Sequence, residues 1–256
     1  MSGTVLHIVR ETALRTWLKT LRRPMPLSFS FVQPLFWMLI FGFLFHRFTL
    51  GPAYAGLSYL DFLLPGVCAM TVLFGASQAG VNIVRDLQTG FIQRMARATS
   101  HPGWIMTGML GADVTRFLTQ AVVVCMLGLI LGARLNVHPL ALPMAVLALA
   151  LFGLSYASLS CWIALKARAQ ESMAVFVHIV NMPLLFTSTA LVPSRQMPDW
   201  MQIAARWNPL TLVADALRDA LVMNRMPNPV NLLPLLLLAT LLFMLARLEM
   251  KRAAFD

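Results

Sequence analysis

The sequence predicts an all-α polytopic membrane protein with six transmembrane helices. Hydrophobic residues make up 59% of the 256 and charged residues only 12%, whereas a soluble domain carries roughly 25% charged residues. Mean hydropathy is +0.73. Six stretches are nearly free of charge, and each is long enough for a hydrocarbon core of about 30 Å, which takes about 20 helical residues. Lipid offers backbone polar groups no outside partner, so such stretches must be helices.

Residues 1–24 precede the first span. Within them, 4–23 read as an amphipathic helix lying in the membrane interface. Leu6, Val9, Ala13, Trp17 and Leu21 recur at helical steps, with Glu11, Arg15, Lys19 and Arg22 on another face. Glu11 and Arg15 have the i,i+4 spacing of a favourable pair, and Trp17 suits headgroup depth. The segment serves either as a plain anchor or as a surface for a partner.

The first span runs from about Pro26 to Phe45, the second from about Asp61 to Val84, and the third from Gly103 to Ala133. The fourth lies between Pro139 and Leu165, the fifth between Ser172 and Val192, and the sixth between Pro229 and Ala246. The loop joining the second and third, residues 85–102, is polar at Arg85 and Asp86, breaks at Gly90 and then turns helical. Phe91, Met95 and Ala98 share one face, Arg94 and Arg97 another, and Pro102 ends the helix. Exposed apolar residues with basic neighbours suit insertion into a groove on another protein. An ordinary interfacial connector fits the same residues.

The loop of residues 193–228 predicts two short amphipathic helices dipping into the outer leaflet. Trp200, Ile203, Ala204 and Trp207 form one stripe, and Leu210, Val213, Leu217 and Leu221 a second, opposed by Asp215, Arg218 and Asp219. Asn208 and Pro209 separate them, an N-cap followed by a first-turn proline.

Basic residues set the orientation. Thirteen fall on one side: Arg10, Arg15, Lys19, Arg22 and Arg23; Arg85, Arg94 and Arg97; Lys166 and Arg168; Arg247, Lys251 and Arg252. Six fall on the other: Arg47, Arg134, Arg195, Arg206, Arg218 and Arg225. Both termini are therefore expected in the cytoplasm. The net charge of +10 is the consequence of those flanks, which meet anionic headgroups. No nucleic-acid-binding motif accompanies it. The first 23 residues lack the apolar stretch and cleavage site of a secretory signal, so the first span is expected to direct insertion.

Asp113 and Arg116, three apart in the third span, can pair on one helix face, which lowers the cost of burial. The alternative is a proton-relay role in a secondary transporter or channel. His178 and Asn181 in the fifth span are expected to bond between helices. Cys68, Cys125 and Cys161 lack metal-ligand spacing and read as small core residues. None of the three lysines follows a glycine, so there is no phosphate cradle of the G-x-x-x-x-G-K-[ST] kind. No HExxH, GxSxG or CxxC appears, and catalysis by this chain is not expected.

Six spans, an N-terminal interfacial helix, the loop "RDLQTGFIQRM" and the outer "MPDWMQIAARWNPLTLVADALR" resemble ABC-2 type transporter permeases. The nearest subgroup looks like the daunorubicin-resistance and nodulation-factor export permeases. The resemblance covers nearly the whole chain as one domain, 1–256. The outer motif, with Pro198, Trp200, Asn208, Pro209, Asp215 and Arg218, is its more specific part, and Asp86 to Gly90 matches the family's coupling helix. The resemblance implies a subunit of an exporter in the bacterial cytoplasmic membrane. Two such subunits, a homodimer by preference over a heterodimer, would sit on two copies of a cytoplasmic ATPase, and ATP and magnesium would belong to that partner. Arg85, Asp86, Gly90, Phe91, Arg94, Met95 and Arg97 would contact it, with Glu11, Arg15, Trp17 and Lys19 as a second contact. The substrate would be amphipathic: a drug, a lipid or a lipid-linked glycan. From the residues alone, a channel or a secondary transporter is equally allowed.

Overall fold

The computed structural model describes residues 2–21, 24–97 and 103–253. The expected helix stop at Pro102, and the residues Arg22, Arg23 and Ala98, lie outside them. Ten α-helices are described: α1 (Ser2–Leu21), α2 (Pro24–Leu44), α3 (Tyr59–Gln88), α4 (Phe91–Arg97) and α5 (Gly103–Ile130), then α6 (Leu142–Ala167), α7 (Gln170–Phe186), α8 (Asp199–Trp207), α9 (Pro209–Leu221) and α10 (Leu232–Ala253). Three short 3₁₀ turns join them, and there is no strand among the described residues.

Four helices are long and apolar enough to cross a membrane: Tyr59–Gln88, Gly103–Ile130, Leu142–Ala167 and Pro229–Ala253, the last counted with its leading 3₁₀ turn. A shorter apolar stretch covers Val32–Leu44 of α2. The fifth expected span is shorter than its apolar stretch. α7 stops at Phe186, and the chain turns at Thr187, Ser188 and Thr189; the Thr189 N–H donates to Thr211 Oγ1 at 3.1 Å and its hydroxyl to Asp215 Oδ1 at 2.9 Å, both on α9.

α3 is the axis of the bundle. Every residue from Asp61 to Leu73 is buried, with α2, α5, α6, α7 and α9 around it. Lipid gives helices no hydrophobic reason to associate, so close packing must do it. α3 supplies small residues for that approach: Gly66, Ala69, Ala76, Ala79 and Gly80. Its start is a capping box. The Asp61 backbone N–H donates to Ser58 Oγ at 3.2 Å, and the Ser58 N–H donates to Asp61 Oδ2 at 2.8 Å. The other oxygen of Asp61 accepts from the Arg134 N–H at 2.6 Å, pinning the end of α5 beside the start of α3.

A polar network ties three helices at mid-bundle. Asn181 Nδ2 donates to Ser77 Oγ at 2.9 Å, the Tyr156 hydroxyl donates to Asn181 Oδ1, and Ser160 Oγ donates to the Ser77 carbonyl at 2.8 Å. Asn181 thus makes the expected bonds between helices. His178 does not: it is exposed, pointing off α7 away from the bundle. Cys68 and Cys161 are buried and Cys125 is partly buried, all as free thiols. Around the outside run large apolar side chains such as Phe36, Phe43, Ile179, Leu237 and Leu241, all above 40% exposed. That surface belongs in hydrocarbon.

The two ends of the bundle differ. At one end the start of α7 meets the end of α3, where Gln170 Nε2 donates to Gln88 Oε1 at 3.0 Å. The Arg247 guanidinium of α10 stacks on Trp104 of α5, 4.1 Å from the ring centre. This end collects α1, α4, Lys166, Arg168 and Lys251. At the opposite end α9 is wedged against α3 and α6. The Asn136 and His138 N–H groups donate to Leu221 and Ala220 carbonyls at 2.9 and 2.8 Å.

Candidate functional site: a clamp at the basic end

The end of α3 carries Asp86, a buried carboxylate that needs counter-charges. α1 provides them. Arg15 Nη1 and Nη2 donate to the two Asp86 oxygens at 3.2 and 3.1 Å, and Lys19 Nζ donates to Oδ1 at 2.8 Å. Positions 15 and 19 are one helical turn apart, so both long side chains reach the same point. The Arg15 guanidinium also lies flat over the Phe91 ring of α4, 3.3 Å from its centre. One arginine therefore holds α1, the end of α3 and the start of α4.

α1 docks by a route the sequence did not announce. Ile8 and Thr12 are buried among its described side chains, while Leu6, Leu14 and Leu18 are 46–71% exposed. The expected stripe through Leu6 is corrected accordingly: the helix rolls so that Arg15 and Lys19 reach Asp86. Gly108 makes the approach of α5 feasible, because a Cβ there would collide with Thr12 and the Val9 carbonyl. Trp17 Nε1 donates to Thr115 Oγ1 at 2.9 Å on α5. The expected Glu11–Arg15 pair is absent; Glu11 is near His7 at 3.9 Å, and Arg15 is committed to Asp86.

The α3–α4 turn is made by glycine. Gly90 has φ +67, in the left-handed region, and its N–H donates to the Leu87 carbonyl at 3.0 Å. Its own carbonyl accepts from the Arg94 N–H at 3.1 Å, starting α4. α4 buries Ile92 and Ala96 and partly buries Phe91 and Met95, leaving Arg94 and Arg97 exposed. The expectation of exposed apolar residues is thus corrected. The apolar face folds inward onto α3, Phe91 is covered by Arg15, and the face left exposed is basic. Ile92 was missed in the sequence, although its place beside Phe91 in an apolar stripe was a usable signal. Arg85 is partly buried and has no carboxylate partner among the described residues.

Beside the clamp, Arg116 Nη2 meets Asp113 Oδ1 at 2.7 Å, the expected pair. Both line a cavity of about 330 Å³ between α1, α2, α3 and α5, with Thr16 and Lys19 of α1 at one end.

The outer motif gathers at the opposite end. Asn208 Oδ1 accepts from the Leu210 N–H at 2.9 Å, capping α9 as expected, with Pro209 in the first turn. Its Nδ2 donates to the Leu184 carbonyl at 2.7 Å, tying α9 to α7. Leu210, Val213, Leu217 and Leu221 are all buried, and α9 lies inside the bundle end rather than on a leaflet. Arg218, expected on the polar face, is only 2% exposed. It is accommodated because every side of it has a partner: Asp215 Oδ1 at 2.5 Å, the Thr189 carbonyl at 3.0 Å and the Phe62 ring at 3.8 Å. Burial pushes the Asp219 carboxyl above its ordinary range, partly offset by Arg225. On α8 the apolar stripe faces out: Trp200, Ile203 and Trp207 are 64%, 61% and 85% exposed, and Pro198 is exposed beside them.

A bundle of apolar helices with lipid-facing side chains all round defines a multi-pass membrane protein. Residues 9–222 match the ABC-2 type transporter family, and the chain belongs to that family. It is 29% identical over 207 residues to a ycf38 transport permease of Cyanophora paradoxa, covering 80% of this chain and 70% of that protein. It is 31% identical over 198 residues to a daunorubicin resistance ABC transporter permease protein of Streptomyces coeruleorubidus, covering 77% and 68%. Nodulation protein J of Rhizobium leguminosarum bv. trifolii is 26% identical over 168 residues, 65% of this chain and 63% of that protein. The chain is thus the membrane permease subunit of an ABC transporter.

Proposed function

We propose that this permease is half of an exporter: two six-span subunits over two copies of a separate ATPase, with both termini in the cytoplasm of a bacterial cell. α2 and α7 are the two further spans beside the four long helices. α4 is the coupling helix, and the basic end of the bundle faces the ATPase. ATP and magnesium bind to that partner, and this chain carries out no hydrolysis.

The observation that carries this reading is the Arg15–Asp86–Phe91 clamp. A force applied at α4 passes through Arg15 to α1 and through the Gly90 turn to α3, the axis of the bundle. Closure of the ATPase on ATP favours one position of α4, and the spans follow by population shift, because nucleotide binds the two states unequally. The basic face at Arg94 and Arg97 suits an acidic cleft on the partner. The cargo is amphipathic; the naming of a relative for daunorubicin resistance and the mainly apolar bundle support this.

The test is reconstitution. The purified chain alone is expected to show no ATP hydrolysis, and the complex with its ATPase to move an amphipathic fluorophore out of vesicles only with ATP. Hydrolysis by the chain alone, or flux driven by an ion gradient without the ATPase, overturns the reading. So does labelling that places residues 85–97 outside the cell.

A further inference from the structure

The cavity between α1, α2, α3 and α5 is graded along its length. Its α3 wall begins at Arg85 and Asp86, continues through Asn82 and Gln78, and ends at Met70 and Val67. Arg85 and Val67 are 18 residues apart, about 27 Å of helix. Trp37 and Pro34 of α2 close the apolar part, and Arg116 and Gln120 of α5 face the polar part. Gln33 and Gln78 are exposed members of the lining, so the cavity communicates with the surroundings of the subunit.

Its charges do not cancel. Asp86 is answered by Arg15 and Lys19, and Asp113 by Arg116. Two carboxylates therefore stand against three cations in the lining, Lys19, Arg85 and Arg116, with Arg15 reaching Asp86 from outside it, and Arg85 has no acidic partner among the described residues. Two buried polar atoms in the same lining also lack a partner among the described residues: Arg116 Nε and Gln120 Oε1. Gln120 is only 4% exposed. Buried polar atoms ordinarily find hydrogen bonds, and ionisable residues at membrane depth mark binding pathways.

We propose that this cavity binds an anionic amphiphile, its acidic head group at Arg85 and Arg116 and its hydrocarbon tail along α3 at Val81 and Phe74, against Trp37. Arg85 supplies the uncompensated charge. The Arg116 Nε–H donates to a head-group oxygen, and Gln120 meets a hydroxyl or a second polar atom of the head. Basic pockets between membrane helices take acidic lipid head groups in the same way. The tail lies against Trp37, Phe74 and Val81, the partly exposed apolar side chains of the lining. The site lies within a single subunit. The occupant is either cargo or a resident acidic phospholipid, and the binding chemistry is the same for both. Only its role as cargo rests on the exporter reading above.

The test uses the full chain in neutral detergent without the ATPase. Phosphatidylglycerol and phosphatidylcholine of the same chain length are titrated, with binding read by native mass spectrometry. Phosphatidylglycerol is expected to bind preferentially. Arg85→Gln is expected to weaken it about tenfold, one charge-assisted hydrogen bond's worth, while Arg85→Lys retains the preference. Phe74→Trp, which fills the tail end and leaves the charges alone, is expected to weaken both lipids. Equal binding of the two lipids, or an unchanged preference in Arg85→Gln and Gln120→Leu together, overturns the site. The complex with its ATPase then separates the sources. Bound lipid released on ATP turnover is cargo, and lipid retained through turnover is resident; both outcomes uphold the site. A failed export assay with intact lipid preference sinks only the exporter reading.

Discussion

Arg15 and Asp86, 71 positions apart, form a two-pronged ion pair with contacts of 3.1 and 3.2 Å. The same guanidinium covers Phe91, so the pair is also the joint between α1, α3 and α4. Asp86→Ala leaves two cations without their carboxylate. Breaking a fully buried pair costs about 3–5 kcal/mol. The Arg15 side chain is 34% exposed, so water reduces the loss to about 1–2 kcal/mol. The melting temperature in detergent is expected to fall by a few degrees. In the complex, ATP hydrolysis is expected to continue while transport drops. Arg15→Met and Asp86→Ala combined should cost less than their separate effects added, and strict additivity would show that the two side chains do not cooperate.

The sequence announced this joint only in pieces. Glu11 at i,i+4 from Arg15 was the local partner a helix rule selects, and Asp86 won because it is buried and has no other way to keep its charge. A contact across 71 positions has no periodic signature, so no reading of α1 alone finds it. Four of the spans were legible because lipid demands long uncharged runs. The inner packing of α9 was not, since Leu210 to Leu221 look the same against lipid as against α3 and α6. Arg218 misled for the same reason: an arginine opposite a leucine stripe reads as exposed unless the Asp215 carboxylate, the Thr189 carbonyl and the Phe62 ring are known to surround it. Asn208 and Pro209 were read correctly because a cap is a local device.

Gly90 tests the turn that aims α4. Its φ of +67 costs an ordinary L residue about 1–2 kcal/mol, and asparagine less than β-branched residues. Gly90→Asn is expected to transport near the wild-type rate. Gly90→Val is expected to fold in the membrane yet lose most transport, because the strain is relieved by moving the start of α4 and the Phe91 ring from Arg15. Equal transport by the two variants would remove the turn from the mechanism.

Arg94 and Arg97 test the sign of the docking face. Both are exposed on α4, whose apolar residues are turned inward. Association with the ATPase is therefore expected to weaken with salt, since exposed charges are screened beyond about 10 Å at 0.1 M. Arg94→Glu with Arg97→Glu is expected to weaken co-purification of the ATPase by at least on the order of tenfold at low salt, with the thermal stability of the permease unchanged. Association insensitive to both salt and charge reversal would make the contact an apolar one.

At the opposite end, the order of two substitutions is informative. Arg218 is 2% exposed on its side chain and Asp215 40%. Intuition gives the buried arginine the larger effect, but its charge reverses that. Arg218→Met removes the buried charge and leaves neutral acceptors, the Thr189 carbonyl and the Phe62 carbonyl that accepts from Arg218 Nε at 3.4 Å, together with an aspartate that water still reaches. The loss is about 1–2 kcal/mol, the usual cost of unmade hydrogen bonds. Asp215→Asn instead leaves a guanidinium buried without its counter-ion. Even with Asp215 at a wet edge, that costs about 2–4 kcal/mol. It also weakens the 2.9 Å bond from Thr189 Oγ1 that orders the end of α7. Thermal unfolding in detergent is therefore expected to rank Asp215→Asn below Arg218→Met. Asp215→Asn combined with Arg218→Met is expected to recover part of the loss, since the stranded charge is gone. A double variant less stable than either single would mean that the pair stabilises α9 by attraction rather than by mutual neutralisation.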